Sequence, residues 1–152
     1  MSPWWRWWIA IAGTLLVVGG IAWILKLWVI VATDGRVVAT GAAGAFFDLG
    51  LYSLLVGSTG LGVRLAISQE PAMRGVAAVA SPVAFILLFF AFSGVGYAIL
   101  AIVGAVAGVA LPSYLLEEAG IFLSAVVWLV IGLVLLFGAI RKPHVAATSQ
   151  AE

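Results

Sequence analysis

Apolar residues along this chain come in four long blocks, and most of the charged residues stand between or at the ends of them. The first block runs from about Trp7 to Leu27 and the second from about Val38 to Val63, between Arg36 and Arg64. The third spans residues 82–111, between Pro82 and Pro112, and the fourth runs from about Ala119 to Ile140 and stops at Arg141 and Lys142. A helix needs about 20 predominantly apolar residues to cross a hydrocarbon layer of ~30 Å, and each block meets that length. The pattern therefore predicts an all-α integral membrane protein, a four-transmembrane-helix bundle. It forms one membrane domain over residues 1–143, followed by a short flexible tail over residues 144–152.

Three places depart from this plan. The third block has 29 residues between its prolines, a helix of roughly 43 Å, so it must tilt, protrude or break. "FSGVGY" at residues 92–97 is the expected break point, since Gly94 and Gly96 weaken a helix interior. Around Asp34-Gly35 two short β-branched runs, in "WVIVATDGRVVATG", carry the signal of a hairpin, with a plain turn between helix ends as the simpler reading. At the N-terminus the apolar run after Arg6 is longer than the h-region of a signal peptide and no A-x-A-like site ends it, so a retained span is expected.

Composition strengthens the membrane reading. The chain of 152 residues is 65% hydrophobic and 9% charged, with a mean hydropathy of +1.27, far from the roughly 25% charged residues of soluble domains. Trp4, Trp5, Trp7 and Trp8 mark one end of the first span, and Trp23 and Trp28 the other, where indole rings prefer the membrane surface. Arg141 and Lys142 would anchor the last span in the headgroups. An even number of spans puts Arg6, Arg64, Arg74, Arg141 and Lys142 on one side against Lys26 and Arg36 on the other. That balance predicts cytoplasmic termini in a cell (inner) membrane. A net charge of +1 offers nothing to nucleic acid, and the absence of cysteine removes disulfides, iron–sulfur clusters and thiolate chemistry.

Most glycines read as helix-packing positions. Gly94, Gly104 and Gly108 fall with alanines at intervals of three and four in the third span, with Gly104 and Gly108 as a G-x-x-x-G pair. Gly13 and Gly20 in the first span, and Gly44, Gly50, Ser53 and Gly57 in the second, offer shorter versions. The fourth span is bulky on most sides and reads as the most lipid-exposed. Chemistry is sparse. The one histidine, His144, lies beyond the last span, Glu117 and Glu118 point about 100° apart and read as a solvated loop end, and no triad, H-E-x-x-H or Walker-type loop is present. No enzyme, metal site or cofactor is expected.

Asp48 is the exception. A carboxylate inside a span is costly, so it is turned inward, paired or protonated, and it is a functional-site hypothesis by default. On a helix Tyr52 lies one turn on and Gly44 one turn back, offering a hydroxyl partner and an open neighbour, while Lys26 or Arg36 could supply a cation. Two roles follow, an ion path or a polar clamp at a helix interface.

The run Phe47-Asp48-Leu49-Gly50-Leu51-Tyr52, followed by Gly57, resembles the "FDLG-aliphatic-Y" segment in the B-type subunit of the Mrp-type multisubunit monovalent cation/proton antiporters. The likeness covers about residues 40–65, here in the second of four spans. It implies a small non-enzymatic subunit of a larger ion-translocating assembly, with Phe47, Asp48, Gly50, Tyr52 and Gly57 as the matching positions. The expected partners are the lipid bilayer and other membrane subunits. Two further readings stay open: a purely structural or assembly subunit of another membrane complex, such as a respiratory one, and a self-contained homo-oligomeric transporter or channel.

Overall fold

A computed structural model describes residues 3–140, which form four helices: α1 (Pro3–Ala32), α2 (Gly41–Leu65), α3 (Pro71–Ala107) and α4 (Ser113–Ile140). All four are long and apolar enough to cross a membrane, and no strand occurs among the described residues. The chain is an all-α, multi-pass membrane bundle. Arg141, Lys142 and the tail lie outside the described residues.

The helix ends follow local chemistry. α1 stops where Asp34 (φ 52°) and Gly35 (φ 72°) turn left-handed, and the Thr33 hydroxyl donates to the Val29 carbonyl at 2.8 Å. The Asp34-Gly35 stretch is thus a turn between helices and not a hairpin. Proline at the first position opens α3, where its missing N–H has no helical partner to lose. Gly108, left-handed at φ 67°, closes α3, with the Val109 amide donating to the Gly104 carbonyl at 2.9 Å.

The third segment differs from its expectation in three ways. It begins eleven residues earlier, at Pro71 rather than Pro82. Pro82 lies inside the helix and does not end it, as membrane helices tolerate when neighbouring groups take up the freed carbonyls. It also runs unbroken through Gly94 and Gly96. Gly96 is used for close approach instead: a Cβ there would lie 2.6 Å from the Gly120 amide of α4.

Each helix packs on its sequence neighbours, and α1 closes the ring against α4. Small residues set these crossings. At the α1–α4 seam a Cβ on Gly20 would lie 2.8 Å from the Ala125 carbonyl, and one on Gly132 would lie 2.8 Å from that of Gly13. At the α1–α2 seam Gly50 receives the Trp23 indole and Gly57 receives Leu16. Gly44 faces the Ala39 carbonyl of its own approach turn. The stripe on α3 goes elsewhere. Gly94 and Gly108 have no other part of the chain within reach of a Cβ, and Gly104 meets Leu111 and the Val109 carbonyl of the following turn.

The centre is aromatic. Trp23, Phe85 and Trp128 join Leu16, Leu54, Ile121 and Ala125 in one buried cluster. Trp23 stacks on Phe47 (ring centroids 6.0 Å) and tilts against Phe89 at 5.3 Å. The indole of Trp23, expected at the membrane surface, is fully buried and donates to the Phe47 carbonyl at 3.1 Å. Trp4, Trp7 and Trp28 are exposed near the ends of α1, and Trp5 and Trp8 are half-buried. The least covered helix is α3 rather than α4, whose Ile121, Ser124, Ala125 and Trp128 face inward.

Candidate functional site

Lys26, Asp48 and Glu118 sit at similar depths from the end of the bundle where α1 turns into α2 and α3 into α4. Each lies roughly 8–10 Å along its helix from Ala32, Gly41 or Ser113 respectively. Opposite charges at matched depth on neighbouring helices can meet. The Lys26 ammonium donates to both carboxylate oxygens of Glu118 at 2.5 Å, with side chains only 5% and 6% exposed.

This pair ties α1 to α4, and the surroundings complete it. The Lys26 Nζ also lies 5.2 Å from the centre of the Phe47 ring, within cation–π range. A buried ion pair is held together less by net stability than by the penalty of separating it, since a lone buried charge costs several kcal/mol. Glu118 is therefore part of the packed helix and not a solvated loop end. Its neighbour Glu117, about 100° around the helix, is exposed as expected.

A cavity of about 270 Å³ opens beside the pair, lined by Lys26, Val38, Ala39, Gly44, Phe47, Asp48 and Glu118. Two acidic side chains and one basic one border it, so one acidic group has no basic counterpart there. That group is Asp48, which has no hydrogen bond or ion pair among the described residues. Arg36, a cation within sequence reach, instead donates to the Thr33 carbonyl at 3.0 Å. Towards the other end the bundle is filled by Trp23, Phe85, Phe89 and Trp128, ring against ring. Phe47, which lines the cavity, stacks on Trp23 of this aromatic layer.

Asp48 also stands on the outside of the bundle. Ala45, Asp48, Leu49, Tyr52 and Val56 follow one another at three- and four-residue spacing and all are exposed, Tyr52 by 66%. Tyr52 makes no hydrogen bond to Asp48, so the expected hydroxyl partner is a neighbour on the surface only. A carboxylate facing hydrocarbon costs about 2.5–3.5 kcal/mol at the centre of a span by insertion scales, and less towards the surface. Within the run from Phe47 to Gly57, Gly50 and Gly57 face α1, Phe47 flanks the cavity, and Asp48 and Tyr52 face outward.

Glu118 escaped the sequence reading for a small reason. Placing the start of the fourth span at Ala119 leaves Glu118 one residue outside it, whereas α4 begins at Ser113. The available signal was depth: Lys26 before the end of one apolar block and Glu118 after the start of another. No family model, no curated protein and no solved structure matches this chain.

Proposed function

We propose that this chain is a small, non-enzymatic subunit of a larger membrane complex, and that its charged cavity takes part in proton or cation movement by that complex. The observation that carries the reading is Asp48, a carboxylate within a span that borders both a cavity holding a buried ion pair and the outer surface of the bundle. Intramembrane ionisable groups of this kind mark ion or proton paths. The antiporter-like segment around Asp48 supports the same reading. With the termini on the cytoplasmic side of a cell membrane, as the basic residues favour, the cavity lies towards the outer surface.

The aromatic layer beneath the cavity argues for a subunit rather than a self-contained channel, because an ion entering beside Asp48 meets Trp23 and its neighbours. The remaining path would have to be supplied by other chains. The test is recovery of the protein from its own membranes in nanodiscs, with identification of its companions and assay of their ion transport. The expected result is a complex with ion-translocating subunits whose transport falls at least tenfold in Asp48→Asn. Recovery of the chain alone, or full transport by the Asp48→Asn complex, overturns the reading.

A further inference from the structure

We infer that the outward face of α2, from Gly41 to Val56, is the docking surface for one transmembrane helix of a partner protein, and that this helix carries a lysine or arginine that pairs with Asp48. The inference rests on the subunit reading and specifies which face makes the contact and by what chemistry.

Three observations lead there. Asp48 and Tyr52 place a carboxylate and a phenol on the outside of a helix that is the least hydropathic of the four. Lipid chains offer neither group a hydrogen bond, so a face built this way is covered by protein or by water. The charges bordering the cavity then select the partner. Lys26 is committed to Glu118 by both oxygens, which leaves Asp48 as the acidic group without a basic partner, and a cation from outside the chain completes it. Finally, the approach is open. Gly41, Ala42 and Ala45, all exposed, precede Asp48, and nothing lies within 4 Å of where a Cβ on Gly41 would be. Small residues at that spacing let a second helix come close enough for a lysine or arginine to reach Asp48.

A second copy of this chain fits the surface poorly. Lys26, its cation at the matching depth, is buried and already paired.

The test is site-specific photocrosslinking in the native membrane. A Leu49→p-benzoylphenylalanine protein should give an adduct whose crosslinked peptide maps to a transmembrane segment of another protein, with Lys or Arg within one helical turn of the attachment point. The same probe at Phe90, on the exposed side of α3, should give at least tenfold less protein adduct. Asp48→Lys should reduce the Leu49 adduct at least tenfold, and exchanging the partner's basic residue for Asp should restore it. Asp48→Leu, which removes the charge without adding one, should show the same loss and guards against misfolding of the lysine variant. An adduct with a second copy of this chain, with lipid only, or with a segment lacking a basic residue overturns the inference, as does equal yield from positions 49 and 90. The outcomes separate from those of the transport assay: a complex joined through α3 would sink the docking surface alone, and intact transport by Asp48→Asn would sink the ion-movement role alone.

Discussion

Two exposed faces of this bundle, one on α2 and one on α3, have similar access to their surroundings and opposite chemistry. On α3 the outward side presents Val76, Val79, Val83, Ile86, Leu87, Phe90, Ile102, Val103 and Val106, with the Tyr97 phenol exposed among them and no carboxylate. On α2 it presents Asp48 and Tyr52 among Ala45, Leu49 and Val56. Lipid acyl chains satisfy the apolar side chains of both faces, and a phenol stands on each, but they offer nothing to the Asp48 carboxylate. Exposure alone therefore does not separate the two faces; the carboxylate does.

The largest effect should come from the ion pair behind the α2 face. Lys26→Met leaves Glu118 buried without its cation and should lower stability by about 3–5 kcal/mol, measured by reversible unfolding in mixed micelles. Replacing both partners, with Lys26→Met and Glu118→Leu together, should recover most of that loss. A double variant as unstable as the single one would mean that the pair holds the fold through more than its own charges.

A smaller effect compares the two faces directly. Val83→Asp, which moves a carboxylate onto the lipid-facing side of α3, should weaken membrane insertion by about 2.5–3.5 kcal/mol if it lies near mid-membrane. Asp48→Leu should do the reverse, leaving the isolated protein at least as stable as before. Equal destabilisation by both substitutions would show that Asp48 supports the fold of the single chain and would remove the contrast between the faces.

The smallest effect separates the outer and inner sides of α3 itself. Gly94→Ala, which meets open space, should gain up to about 1 kcal/mol from helix propensity. Gly96→Ala, two residues on, puts its Cβ 2.6 Å from the Gly120 amide and should lose about 1–3 kcal/mol. Matching signs in the same unfolding measurement would contradict the close α3–α4 crossing.

The number of helices was legible in the sequence because hydrophobic length is a local property, and a bilayer of fixed thickness makes it decisive. The glycines of α1 and α2 were legible as packing positions for a related reason, since small residues in spans are used where backbones approach. The same rule failed on α3. Gly94 and Gly108 have the right spacing, but spacing does not say which side of a helix has a neighbour. Trp23 failed in a similar way: an indole near a span end usually sits at the surface, and here Gly50 opens a slot that draws it into the core.

The sequence by itself determined the membrane setting, the four-helix plan and the candidacy of Asp48, all of which follow from the cost of placing polar groups in hydrocarbon. Tertiary structure alone decided that Lys26 belongs to Glu118, 92 residues away, and that Asp48 is left outside that pair on an open face. The physical reason is that a charge's partner is chosen by helix rotation and crossing. Those are set by the fit of small residues against large ones across the bundle, as with Gly20 on α4 and Gly50 on Trp23, and not by anything within one span.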